Sequence, residues 1–150
     1  PEVNQCRMRL RRAGKGMPLL YLHGANGVAQ VPQFLEEFTS DWDVLAPEHP
    51  GFGESSDPDW LECMDDLAYF YLDWLEQSGL ERVHAVGSSL VGWLTMELAI
   101  RQPQRFASLT LIGSAGLAGQ FCRSWLTVRL PEPLTDRFSR DNPLRSSRVE

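Results

Sequence analysis

Apolar residues along this chain recur with two alternating periods. Met17-Pro18-Leu19-Leu20-Tyr21-Leu22-His23 is a short continuous run closed by Gly24, the pattern of a buried strand leading into a loop. From Val31 to Phe38 the apolar positions Val31, Phe34, Leu35 and Phe38 keep the spacing of a helix's buried stripe. Trp42 to Ala46 predicts a second strand, stopped by Pro47, and Glu48 to Pro58 is turn chemistry with Pro50, Gly51, Gly53 and Asp57-Pro58. Leu67, Phe70, Tyr71, Trp74 and Leu75 then fall at i, i+3, i+4, i+7 and i+8. They predict an amphipathic helix with Asp65 and Asp66 at its positive N-terminal end and Gly79 at its stop. Val83 to Val86 predicts a third strand, Leu90 to Ile100 a helix apolar on nearly every face, and Phe106 to Ile112 a fourth strand.

Strands and helices therefore alternate. Under the right-handed crossover rule that order builds an α/β fold, a mostly parallel sheet covered by helices on both faces. Val3, Met8 and Leu10 among polar neighbours predict one further edge strand over Val3 to Leu10. At 150 residues and 43% hydrophobic content the chain has about one domain's worth of core, enough to bury roughly 68–70% of its unfolded surface. The longest apolar run, Leu67 to Leu72, is far short of the about 18 residues a membrane span needs, so a soluble protein is expected, with no membrane partner.

Charge narrows the class further. Fourteen basic residues against twenty acidic ones give a net charge of −6, which argues against the broad basic face of a nucleic-acid binder. The basic residues gather at the two ends and the acidic excess lies between residues 16 and 117, a surface balance that one folded domain can neutralise. Cys6, Cys63 and Cys122 are odd in number and hold no C-x-x-C pair, so neither a disulfide framework nor a zinc knuckle is expected. No secretory signal is visible at Pro1, and a reducing cytoplasm fits this cysteine usage. Gly51-Phe52-Gly53 lacks a third glycine, no G-x-G-x-x-G follows a strand and no G-K-[ST] loop is present, so no cofactor is expected.

In an open parallel sheet the chemistry is expected in the loops leaving the carboxyl ends of the strands. Val86-Gly87-Ser88-Ser89-Leu90-Val91-Gly92 joins a strand end directly to a buried helix. A serine on that tight turn is pushed out above the sheet, in a strained backbone that needs small neighbours, next to a helix N-terminus. This is the G-x-S-x-G elbow. Ser89 has Gly87 two positions before it, whereas Ser88 is flanked at those positions by Val86 and Leu90, so Ser89 is the candidate nucleophile. Val91 stands where the pattern has glycine, a departure that costs about 1–3 kcal/mol by overpacking unless Gly92 relieves it. The second loop, His23-Gly24-Ala25-Asn26-Gly27, reads by itself as an ordinary turn. Coupled to the elbow, its small residues let the Ala25 N–H face the same point as the N–H of Leu90, which together would make an oxyanion hole.

From about Arg9 to Leu117 the chain resembles the N-terminal half of the α/β-hydrolase superfamily. The matching stretches are "PLLYLHGANG", "DVLAPEHPGFGESS", "DDLAYFYLDWLEQSGLERVHAVGSSLVGW" and "ELAIRQPQRFASLTLIGSAGL", in the family's order. The resemblance implies a serine hydrolase of small esters or related carbonyl substrates, similar to the branch of esterases and carbon–carbon bond hydrolases. A serine at position 89 argues against the haloalkane dehalogenase and epoxide hydrolase branches, which carry aspartate there. His23, Gly24 and Gly87 match supporting positions of the two loops.

The family's triad runs serine, acid, histidine along the chain, yet His23, His49 and His84 all precede Ser89. Without an imidazole the serine hydroxyl is a poor nucleophile. The expected domain layout is a partial core over residues 1–117, ending after the strand that follows the nucleophile helix. A divergent tail over 118–150 shows no strand alternation, only a fragmentary helical pattern around Trp125 to Leu130. That tail fits the start of a cap region or a non-homologous end, and the abrupt stop near Leu117 favours the latter. Two functions follow: a serine hydrolase, or the N-terminal fragment of one, acting on a small-molecule substrate but inactive alone; or an inactive module with a binding or oligomerising role. With the Phe106 to Ile112 strand as an exposed sheet edge, homo-oligomers are expected.

Overall fold

The computed structural model describes residues 1–27, 34–115 and 125–130. It begins with a small antiparallel hairpin, β1 (Glu2–Val3) and β2 (Cys6–Arg7), turned by Asn4 and Gln5, both at positive φ. Two central residues with φ > 0 make the tight reverse turn whose twist matches paired strands. The edge strand expected over Val3 to Leu10 is thus replaced: that turn folds the segment back on itself, and the edge strand, β3, runs Leu10–Gly14. Val3, Cys6 and Met8 are buried in the core below it.

β4 (Met17–Leu22), α1 (Phe34–Phe38), β5 (Trp42–Pro47), α2 (Met64–Gln77), β6 (Val83–Ser88), α3 (Leu90–Arg101) and β7 (Phe106–Ile112) follow, with a 3-10 turn at Pro103–Arg105 before β7. The helix pattern over Val31 to Phe38 is met from Phe34 onward; residues 31–33 lie outside the described residues. β8 (Trp125–Arg129) closes the described chain. The strands form one six-stranded sheet in the order β3-β5-β4-β6-β7-β8. The four inner strands are parallel, and β3 and β8 pair antiparallel at the two edges.

Two expectations about the far edge are corrected here. The segment around Trp125 is a strand and not a helical fragment, because its main chain pairs with β7 from Ser108↔Arg129 to Ile112↔Trp125. For the same reason β7 is an inner strand, with its second row of main-chain groups taken up by β8 rather than exposed. The Thr110 and Thr127 hydroxyls add a cross-strand hydrogen bond of 2.9 Å.

Alternation along each strand sorts the apolar residues onto two faces. Leu20, Leu22, Leu45, Val83, Ala85 and Leu109 join α2 and α3 in the main core, where Phe70, Tyr71, Trp74, Leu75, Leu94 and Leu98 are fully buried. Leu19, Tyr21, Val44 and Ala46 face the other way and pack with Leu35 of α1. Over β6 and β7 that second face carries a mostly apolar hollow of about 390 Å³, lined in part by Trp42, His84, Val86, Ser108 and Ile112.

The order of the strands matters most for the site. β4 leads through α1 to β5 on one side, whereas β5 leads through α2 across to β6 on the other. The crossovers therefore part between β4 and β6, and the loops leaving these two neighbouring strands open a crevice at their carboxyl ends.

Candidate active site

The crevice is formed by residues 23–27 after β4 and by the turn from β6 into α3. Tyr21, Gly24, Ala25, Asn26, Gly27, Ser88 and Ser89 line a cleft of about 320 Å³. Ser88 is the last residue of β6, and Ser89 stands alone between strand and helix with φ 59° and ψ −128°. A side chain in that region costs on the order of 1–3 kcal/mol, so the turn must be held from outside. The Ser89 N–H donates to the Ile112 carbonyl at 2.9 Å, while the Ser89 carbonyl accepts from Gly92 N–H at 3.1 Å and Ala115 N–H at 3.0 Å. The end of β7 and the loop after it clamp the turn through main-chain groups, and Ser89 itself is exposed.

Close approach explains the glycines around it. A Cβ on Gly87 would meet Thr95 Oγ1 at 2.1 Å and the Val91 carbonyl oxygen at 2.8 Å, so the strand end and the first turn of α3 pack without a side chain between them. A Cβ on Gly92 would meet Ser114 Oγ at 2.3 Å. Val91, the departure from the G-x-S-x-G pattern, is turned into the core and buried. The tight contact falls one residue later, at Gly92 against the loop after β7. Across the crevice, a Cβ on Gly24 would lie 3.3 Å from Ser89 Cβ. The two loops therefore touch at Gly24 and Ser89.

Of the residues singled out in the sequence, Gly24, Ala25 and Ser89 meet around this cleft. Leu90 is the first residue of α3, its side chain half exposed, and first-turn N–H groups have no partner within a helix. Gly87 lies beneath, in β6. His23 is buried at 1% exposure and does not line the cleft.

Both ring nitrogens of His23 and of His49 are occupied, and Nδ1 of His84 is engaged as well. His23 Nδ1 lies 2.7 Å from the Gly24 carbonyl oxygen, and its Nε2 accepts the His49 main-chain N–H at 3.0 Å. His49 Nε2 lies 2.8 Å from the His23 carbonyl oxygen and its Nδ1 2.5 Å from the Tyr71 hydroxyl. His84 Nδ1 contacts Ser108 Oγ at 2.7 Å, in the hollow on the sheet face. Burial holds all three below the ordinary imidazole value, His49 most of all, at about 3, with the neighbouring His23 adding to the shift. Among the described residues no cluster of histidine, cysteine or carboxylate is suited to a metal ion.

Sequence reasoning missed two contributors. Tyr71 was legible only as part of an apolar stripe, although a buried tyrosine hydroxyl requires a partner and so signals a polar group beneath the helix. The main-chain clamp from Ile112 and Ala115 has no side-chain signature at all.

The sequence matches the α/β-hydrolase fold family over residues 17–139. The chain belongs to that family. Among curated relatives it is 35% identical over 120 residues to a 2-hydroxymuconate semialdehyde hydrolase of Pseudomonas sp., covering 75% of this chain and 41% of the relative. It is 31% identical over 117 residues to the dihydrolipoyllysine-residue acetyltransferase component of an acetoin cleaving system from Cupriavidus necator, covering 77% of this chain and 31% of that one. Among solved structures, a membrane phospholipase A described as a bacterial virulence factor superposes with a TM-score of 0.74 at 27% identity, covering 80% of this chain and 41% of the other. The α/β-hydrolase match extends past residue 117 and takes in β8. The chain spans well under half the length of these relatives. Among the described residues no helix is long and apolar enough to cross a membrane.

Proposed function

We propose that this chain carries the nucleophile and oxyanion half of a serine hydrolase acting on small carboxylic esters or related acyl and carbonyl substrates. The observation that carries the proposal is the exposed Ser89 at a strained strand-to-helix turn, facing the Gly24–Ala25 loop across the crevice where the crossovers part. In this reading Ser89 Oγ attacks the substrate carbonyl carbon, the carbonyl π pair moves onto oxygen, and the Ala25 and Leu90 N–H groups hold that oxyanion. The pair returns as the alcohol or carbon leaving group departs with a proton, and water then releases the acyl group. Removing one donor of such a hole typically lowers turnover about 100- to 1000-fold.

A base must take the Ser89 proton. None of the four ring nitrogens of His23 and His49 is open for that, and His84 lies at the far end of β6. The proposal therefore assigns the histidine and acid to polypeptide other than these 150 residues, and gives the chain alone little turnover. Loss of the histidine in a comparable triad costs on the order of a millionfold. The same occupied imidazoles favour the second reading, an inactive module that binds or associates.

Exhaustive labelling of the chain with a fluorophosphonate, followed by peptide mapping, tests the proposal. Modification at Ser89, lost in Ser89→Ala and kept in Ser88→Ala, is the expected result. Label that persists in Ser89→Ala, or that falls on other serines as readily as on Ser89, overturns it. Turnover of short p-nitrophenyl esters near that of intact family members, abolished by Ser89→Ala, would instead reveal a base within the chain.

A further inference from the structure

The hydrogen bonds around His23 and His49 leave no freedom in where the protons sit. A main-chain N–H only donates, so His23 Nε2, 3.0 Å from the His49 nitrogen, carries a lone pair and the ring proton is on Nδ1. Nδ1–H then donates to the Gly24 carbonyl at 2.7 Å. A main-chain carbonyl only accepts, so His49 Nε2, 2.8 Å from the His23 oxygen, carries the proton and its Nδ1 accepts from the Tyr71 O–H at 2.5 Å. Each ring nitrogen is used once, both rings are neutral, and the direction runs from Tyr71 on α2 to the Gly24 carbonyl at the cleft. The ring centroids of His23 and His49 are 3.9 Å apart, and Phe52 stands edge-on to His23.

The end of this chain of bonds is a peptide plane. The Gly24 carbonyl and the Ala25 N–H belong to one rigid amide and point in opposite directions. With its oxygen tied to the buried His23, that amide directs the Ala25 N–H away from the interior, on the side where Ala25 lines the cleft. Gly27 N–H makes a second contact to the same oxygen at 3.1 Å. The tie matters because Gly24 has no Cβ to resist a peptide flip. A flip would replace the Ala25 N–H at the cleft with a carbonyl oxygen, turning a donor for an anion into a repelling acceptor.

We propose that Tyr71, His49 and His23 are positioning residues that set the Gly24–Ala25 peptide plane and so hold the Ala25 N–H as an anion donor. This rests on the reading of Ala25 as an oxyanion donor. The three act through one another and touch no reacting atom.

Heteronuclear NMR of the full 150-residue chain at neutral pH, with Tyr71→Phe, His23→Ala and His23→Asn, tests it. Ring-nitrogen shifts should report Nδ1–H at His23 and Nε2–H at His49. Tyr71→Phe and His23→Ala should move the Ala25 amide nitrogen and the Gly24 carbonyl carbon further than the signals of the β6–α3 turn. His23→Asn, whose amide N–H stands near the place of Nδ1–H, should bring them most of the way back. An Nε2–H or doubly protonated His23, or Ala25 and Gly24 signals unmoved by Tyr71→Phe, overturns the proposal. If His23→Ala does not fold, the wild-type tautomers and Tyr71→Phe still decide it. A chain in which fluorophosphonate label persists in Ser89→Ala but whose tautomers and Ala25 shifts are as stated sinks the hydrolase reading alone.

Discussion

Ser89 carries a φ of 59° that only glycine adopts without strain. Ser89→Gly should therefore raise stability by about 1 kcal/mol over Ser89→Ala, which keeps the strain, and urea unfolding of the two variants measures the difference. Equal midpoints would mean that the turn is not strained. Titration of the buried imidazoles gives a second expectation. His49 is held near 3 and His23 below its ordinary value, whereas both titrate near 6.5 when unfolded. Between those values the unfolded chain binds protons that the folded chain refuses. The stability they contribute is thus complete above about pH 6.5 and is lost as pH falls, by roughly 1.4 kcal/mol per pH unit for each ring that stays neutral. Glu48, next to β5, partly offsets this at His23, and Tyr71 faces His49 from α2. Unfolding midpoints from pH 7 to 4 should show the slope, and His49→Gln should flatten it by about one proton.

At the scale of elements, the α3 N-terminus is fixed by contacts too close for a side chain. Gly92→Ala places a Cβ on Ser114 and should cost about 1–3 kcal/mol, with Ser114→Gly in the same chain returning part of it; additive losses in a double-mutant cycle would argue against a direct clash. The elbow was legible because Gly87, two serines and a buried helix stand at a strand end, and that spacing follows from local sterics. The role of Gly92 in place of position 91 was not, since it depends on where Ser114 lies after β7. Periodicity found β4 to β7 and, among the described residues, α1 to α3, because each buries an apolar face. It failed at β3 and β8, edge strands that owe their pairing to a neighbour. Arg11-Arg12 in β3 carries no apolar stripe, and Arg12 is held instead by paired hydrogen bonds to Asp43 of β5. The hairpin before β3 was hidden for another reason: Asn4-Gln5 lacks the glycine that marks such turns.

For the molecule as a whole, the strand outside β7 among the described residues is β8, with Thr127, Val128 and Arg129 exposed. Removing that strand by ending the chain after residue 115 should uncover the main-chain groups of β7 and drive association, read as a shift to larger species in size-exclusion chromatography. An unchanged elution volume would mean that β8 does not protect the edge. On the second face of the sheet, the hollow over β6 and β7 is bordered by Leu35 and Phe38 of α1.

The two walls of the cleft come from strands that touch in space but are separated in sequence by β5 and α2, with Leu19 opposite His84. Parallel neighbours so far apart cannot pair until the intervening loop has been closed, and that entropy is spent before any contact repays it. The chain should therefore build the β4–β5 pair early and acquire the serine-bearing wall late. In stopped-flow refolding, main-chain protection at Leu20 should precede protection at Val86, and the cleft should appear only in the last resolved phase.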